Sequence, residues 1–245
     1  MKSMISKNLF SFLILLIFSF LTHAQDGPGV WTQSLSSAGP VWSVSVNPAN
    51  QQIMYAASQT QGMWKTINGG VTWTQINSGI TNLTLNVVAV SSSNPNTVYC
   101  GGGAVGISNG MYKSIDAGAT WVAINSGITQ TPNTIQGIAV SPTDPNTVYI
   151  AIWDGGTTNA TVGMYKTING GTLWTVANTG MGTNKNVLCV SVNPLNPNTV
   201  YCGTSFLQPN PPPTGPTFIY KSLDAGATWT SMSSGYQAQL QILIQ

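Results

Sequence analysis

An all-β chain made of repeated small antiparallel sheets is the fold class this sequence predicts, and three observations carry that reading. First, a nine-residue device returns four times: it starts at Lys65, Lys113, Lys166 and Lys221 and ends at Trp73, Trp121, Trp174 and Trp229, with steps of 48, 53 and 55 residues. Each copy reads Lys, Ser or Thr, an aliphatic residue, Asp or Asn, a small residue, Gly, two variable positions and Trp. As chemistry this is a hairpin turn: the Asp or Asn accepts from nearby backbone amides, Gly takes a positive φ, and Trp anchors the returning strand. Second, β-branched residues alternate with polar ones between the devices, and no helical period occurs beyond the N-terminal segment. Third, Asn, Pro and Gly punctuate the chain at matching places in every unit. A period near fifty residues with four short strands per unit predicts a β-propeller, in which each unit is one blade.

Residues 1–24 read as a secretory signal peptide. Lys2 and Lys7 precede an apolar run from Leu9 to Leu21, followed by Thr22-His23-Ala24. That run is too short to span a bilayer comfortably, and small Ala24 suits a cleavage site. The expectation is therefore an exported chain, secreted or held at the cell surface, with no membrane span after cleavage.

Residues 25–245 form the expected propeller segment. Trp31-Thr32-Gln33 matches the end of each later hairpin and the strand after it, as in Trp73-Thr74-Gln75, so residues 30–35 read as an outermost strand with no inner strands of its own. Four complete units come next, at about 41–78, 84–126, 134–179 and 186–234. In each, an inner strand ends on an alternating apolar pair (Val44 and Val46, Val88 and Val90, Ile138 and Val140, Val190 and Val192), and an Asn- and Pro-rich turn succeeds it. Nine residues after the second of the pair stands a Tyr: Tyr55, Tyr99, Tyr149 or Tyr201. A loop, a third strand, the hairpin and a fourth strand complete the unit. Residues 239–245 read as an inner strand without its turn. Four units with one orphan strand at each end do not close a ring, so the expected form is an open, incomplete arc, a segment whose missing blades belong to a longer chain.

The hairpins resemble the Asp-box, or bacterial neuraminidase repeat, of form Ser-x-Asp-x-Gly-x-Thr-Trp. Ser114, Asp116, Gly118 and Trp121 match it, as do Ser222, Asp224, Gly226 and Trp229. The first copy has Asn68 with Gly70 and Trp73. The third has Asn169 with Gly171 and Trp174, and Leu173 stands in place of Thr. The resemblance implies a propeller of the kind shared by sialidases, xyloglucan hydrolases, sortilin-type receptors and photosystem assembly factors. The chain is also similar to the exported repeat proteins of gliding or surface-decorating bacteria. A shared fold of this kind leaves function to the site.

Composition narrows the chemistry. The sequence has no Arg and no Glu, and its one histidine, His23, lies in the leader. Without that leader five Lys face five Asp, a balance with no electrostatic footprint for nucleic acid. Glycoside hydrolysis needs two carboxylates across one bond. A sialidase would need an Arg cluster, a metal site fares no better without His, and a Ser nucleophile would need a His base. Asp116 and Asp224 are turn residues, and Asp144 occupies the turn position of Asn50, Asn94 and Asn196. No catalytic residue, metal or cofactor is expected. The expected function is a non-catalytic module that binds a glycan or a protein, and the rival is a fragment of a glycoside hydrolase whose catalytic residues lie elsewhere.

Candidate ligand contacts come from the loops between second and third strands, whose Tyr-to-Lys spacing grows from 10 through 14 and 17 to 20. Variable loops on a fixed scaffold are where recognition gathers. Trp153 and Asp154 break the repeat pattern in the third loop, Phe206 lies in the fourth, and Lys185 stands outside the repeat. A Trp beside an Asp suits stacking on a sugar ring, or else Trp153 packs beneath its own loop. Cys189 and Cys202 sit symmetrically about their turn if Val192 pairs with Thr199, which leaves open either a cross-strand disulfide or two small buried residues. Cys100 is expected to be free.

Overall fold

The computed structural model describes residues 35, 37–103, 110–128, 134–153, 162–182, 186–204 and 219–232. The described residues all belong to one compact unit, Leu35–Gln245. The signal-peptide segment and both orphan strands, 30–35 (save Leu35) and 239–245, lie outside the described residues.

The fold is four blades, each a four-stranded antiparallel sheet with its strands in chain order. Blade 1 holds β1 (Val41–Val46), β2 (Met54–Ser58), β3 (Gly62–Thr66) and β4 (Thr74–Gln75). Blade 2 holds β5 (Leu85–Val90), β6 (Val98–Gly102), β7 (Met111–Ser114) and β8 (Val122–Ala123). Blade 3 holds β9 (Thr134–Val140), β10 (Val148–Trp153), β11 (Gly163–Thr167) and β12 (Thr175–Val176). Blade 4 holds β13 (Val187–Val192), β14 (Val200–Thr204), β15 (Ile219–Ser222) and β16 (Thr230–Ser231). No helix occurs among the described residues.

The hairpin chemistry is that of a closed side-chain ring. In blade 2, Ser114 Oγ donates to Asp116 Oδ1 at 2.7 Å and accepts the Gly118 amide at 2.8 Å. Asp116 in turn accepts the Thr120 amide at 2.9 Å and the Thr120 hydroxyl at 2.6 Å. Blade 4 repeats the arrangement through Ser222, Asp224 and Thr228. The Asn hairpins keep nearly all of it. Asn68 Oδ1 accepts from Thr66 and from the Thr72 amide, and its Nδ2 donates to the Thr72 hydroxyl at 2.9 Å. In blade 3, Leu173 supplies only its amide to Asn169. The Asp-to-Asn change therefore removes charge rather than the ring of bonds.

The position before the hairpin Gly is left-handed in all four blades. It is Gly69 and Gly170 in blades 1 and 3, but Ala117 (φ 57°) and Ala225 (φ 55°) in blades 2 and 4. An L-residue there costs about 1–2 kcal/mol. In each blade the amide of this residue donates back to the turn between the first two strands, as Ala117 N does to Asn96 O at 2.9 Å. The Asn-Pro turn and the hairpin thus share one end of the blade.

The core lies between blades, not within them. Tyr55, Ala57 and Met63 of blade 1 pack with Val88, Cys100, Tyr112 and Trp121 of blade 2. Tyr99 and Met111 pack with Ile138, Tyr165 and Trp174 across the second seam, and Tyr149 and Met164 with Cys202, Tyr220 and Trp229 across the third. Each hairpin Trp also reaches back to the preceding blade. Trp121, Trp174 and Trp229 donate their indole N–H to Ile76, Ile124 and Ala177 carbonyls at 2.8, 2.7 and 2.8 Å. Their amides donate to Ser78, Ser126 and Thr179. The chain passes so close that a Cβ on Gly79, Gly127 or Gly180 would lie 2.1–2.2 Å from the Trp carbonyl, and so these links are glycine.

Candidate binding face and the rail between blades

Of the four residues expected to contact a ligand, the structure places Trp153. It ends β10, opposite Thr134, and is half-buried. Its indole N–H is enclosed and has no acceptor, so the polar edge of the ring is turned away from solvent. Asp154, Lys185 and Phe206 lie outside the described residues.

The described carboxylates are all engaged in turns. Asp116 and Asp224 are exposed, yet both are held down to a pKa of about 2, first by the hydroxyls of Thr120 and Thr228, then by the amides of the same residues and by Ser114 and Ser222. Asp144 accepts the Asn146 amide at 3.0 Å and the Thr147 hydroxyl at 2.7 Å. The described residues hold no cluster of three or more metal-ligating side chains.

The cysteine pairing needs correction. Val192 pairs with Val200, not Thr199, which moves the register by one residue. Cys202 therefore stands opposite Val190, inside the core between blades 3 and 4, whereas Cys189 stands opposite Gly203 and is exposed. Neighbouring residues of a strand face opposite sides of the sheet, so the disulfide is not formed. Cys100, Cys189 and Cys202 are all free, and burial pushes the Cys202 thiol up to about 12.

A feature that only the strand register reveals joins the blades at the hairpin end. Register sets Tyr55 opposite Lys65, Tyr99 opposite Lys113, Tyr149 opposite Lys166 and Tyr201 opposite Lys221. Each ammonium lies over its Tyr ring, 5.4–5.6 Å from the centroid, within cation–π range. In blade 1, Tyr55 and Lys65 both donate to Ala117 O of the next blade, at 3.1 and 2.8 Å. In blade 3, Tyr149 and Lys166 both donate to Ala225 O at 2.8 Å. In blade 2 the route differs: Tyr99 donates to Pro145 O at 2.8 Å and Lys113 to Asn146 Oδ1 at 3.0 Å.

Burial raises the Tyr55 and Tyr149 hydroxyls to about 12 and lowers the Lys65, Lys113 and Lys166 ammonium pKa values. These phenols remain donors at neutral pH, and the pairs act as structural pins. The signal was present in the constant Tyr and Lys of each unit; it lacked the strand register that sets them opposite each other.

No protein-family model matches the chain, and no curated protein does. Among solved structures it is similar to a GH74 enzyme of Niastella koreensis, at 29% identity and TM-score 0.60 over 77% of this chain and 28% of that one. It is similar to the GH74 xyloglucanase of Xanthomonas campestris at 19% identity and TM-score 0.58, over 80% of this chain and 31% of that one. It is also similar to YCF48 of Cyanidioschyzon merolae at 16% identity and TM-score 0.52, over 80% and 57%. The chain spans under a third of the length of these two GH74 enzymes. Its four sheets are blades of a β-propeller in an open arc, with glycoside-hydrolase propellers and YCF48 among its structural neighbours.

Proposed function

We propose that this chain is a secreted or cell-surface Asp-box propeller module that binds a glycan or a protein without catalysis, through the loops between second and third strands. The observation that carries the reading is the engagement of Asp116, Asp144 and Asp224: each uses its oxygens on amides and hydroxyls of its own turn. A general acid must be free to move a proton at the scissile bond, and Asp116 and Asp224, held near pKa 2 in such rings, are poorly suited to that. The hairpin rings themselves follow the Asp-box pattern in blades 2 and 4, with Asn variants in blades 1 and 3.

A second reading, a piece of a glycoside hydrolase, is favoured by the 29% identity with the Niastella GH74 enzyme. Incubation of the full chain with xyloglucan and other polysaccharides separates the two. The first predicts retention on a polysaccharide or a glycan array with no new reducing ends; release of reducing ends supports the second. Trp153→Ala is expected to weaken glycan binding at least fivefold with a melting temperature close to the parent's. An unchanged affinity rejects Trp153 as a contact.

A further inference from the structure

We infer that Asn169 is a site of spontaneous modification, at which the folded chain exchanges a side-chain amide for an acid, ahead of the matching hairpin residue Asn68. Residues 65–70 and 166–171 both read Lys-Thr-Ile-Asn-Gly-Gly, so the two hairpins carry the same Asn-Gly pair in the same local sequence. A glycine after asparagine leaves the backbone nitrogen unshielded by a Cβ, and asparagine is among the thermolabile residues. Whatever separates the two sites must therefore come from the fold. A third pair, Asn109 with Gly110, has its Asn outside the described residues.

In the reaction, the Gly170 nitrogen gives up its proton and attacks Cγ of Asn169, the bond from Cγ to Nδ2 breaks, and Nδ2 leaves with that proton as ammonia. Water then opens the cyclic imide at either carbonyl, which gives an aspartate or an isoaspartyl link at position 169. One water is consumed for each ammonia released, and nothing is oxidised or reduced.

Two contacts set Asn169 apart. Asn68 is held at both ends of its carboxamide: Oδ1 accepts the Thr72 amide at 2.9 Å, and Nδ2 donates to the Thr72 hydroxyl at 2.9 Å. Asn169 keeps the first of these bonds, from the Leu173 amide at 3.0 Å, but Leu173 has no hydroxyl to receive the second. The carboxamide of Asn169 thus turns toward its own backbone with one bond fewer to break. The attacking nitrogens are held alike, since Gly69 donates to Gln52 O and Gly170 to Asn146 O, both at 2.9 Å. Yet Gly170 lies beside a cation: a Cβ built on it would fall 2.3 Å from Lys113 Nζ, whereas one on Gly69 would meet Gln52 Oε1 at 2.7 Å. A nearby ammonium favours the nitrogen anion that must form, and an amide oxygen does not.

The aspartate product has a place prepared for it. Asp116 and Asp224 fill this position in blades 2 and 4, where each accepts the amide four residues on, and they act on Lys65 and Lys166 of the preceding blades. Conversion at position 169 gives Lys113 the hairpin carboxylate that these two lysines already have. An isoaspartyl link adds a methylene to the backbone and does not fit the ring.

Storage of the folded full chain in mildly alkaline buffer, followed by peptide mapping in a mass spectrometer, tests this; cleavage after Lys65 and Lys166 separates the two sites. Asn169 should convert about fivefold faster than Asn68, the rate factor that corresponds to one ordinary hydrogen bond. In urea the two rates should become equal. Leu173→Thr supplies the missing hydroxyl and should slow Asn169, while Thr72→Val removes the other and should speed Asn68, each by about fivefold and without effect on the second site. Both substituted positions are exposed, and near-ultraviolet circular dichroism checks that the fold is kept. Absence of conversion at position 169, equal rates in the folded chain, or a lead of Asn169 that persists in urea overturns the inference. So do rates that ignore either substitution.

Discussion

The seam between blades 3 and 4 and the seam between blades 2 and 3 use the same repeat positions and route their hydrogen bonds differently. At the first, Tyr149 and Lys166 converge on one carbonyl, that of Ala225. At the second, Tyr99 and Lys113 separate, one to Pro145 O and one to Asn146 Oδ1. The hairpin of blade 3 carries Gly170 where blade 4 carries Ala225, and a Cβ on Gly170 would lie 2.3 Å from Lys113 Nζ. The two seams thus differ in the methyl group before the hairpin Gly and also in the carboxylate that acts on the lysine, Asp144 on Lys113 and Asp224 on Lys166. Beneath this, the seams do not differ: Trp174 and Trp229 are both buried and donate the same two bonds to the blade before. The shared layer carries the stability, and the variable layer tunes it.

The largest expected effect is common to both seams. Trp174→Ala and Trp229→Ala should each cost about 3–5 kcal/mol in urea unfolding. A difference between them well beyond the spread of such values would break the claim that the seams share one foundation. Gly170→Ala comes next, at about 1–2 kcal/mol for a left-handed L-residue. Its structure should show Lys113 displaced from Asn146, and an unmoved Lys113 would reject the steric account.

The smallest effect at neutral pH is Asp224→Asn, whose melting temperature should stay close to the parent's, because Asn68 and Asn169 already fill this role in blades 1 and 3. Its consequence appears in acid. Asp224 has a folded pKa near 2 against an ordinary 3.8, so its ionised form stabilises the fold above the ordinary value, and that contribution fades as pH falls from about 4 through 2. The variant's melting temperature should therefore decline less steeply over this window than the parent's. Equal slopes would show that the Asp224 ring adds nothing to acid stability.

Much of the fold was legible because repetition supplied four independent readings of each position: Trp121, Tyr99 and Lys113 each have three counterparts. The register of the first hairpin was not, since the Asn-Pro turn holds one residue more than a symmetric count about Cys189 and Cys202 assumes; Asn193 N bonds Thr199 O, and the first strand pair is Val192 with Val200. The seam partners were illegible for another reason. Tyr149 and Ala225 are 76 residues apart and belong to different units, so no local pattern joins them. At the candidate site, Trp153 stands at the last strand position before a loop without repeat grammar, and such a loop offers no second copy against which to read its residues.

The direction of the tryptophan bonds has a consequence for how such a chain can grow. Every unit carries the giving half of one seam and the receiving half of the next, so adding or removing one entire unit leaves each remaining half matched. A cut elsewhere in the unit leaves donors and acceptors without mates. Gene duplication by whole periods is therefore nearly free of structural cost in this architecture, and stability changes by roughly one nearest-neighbour increment per added unit. The choice of Ala or Gly before each hairpin Gly is one of the places where the copies differ.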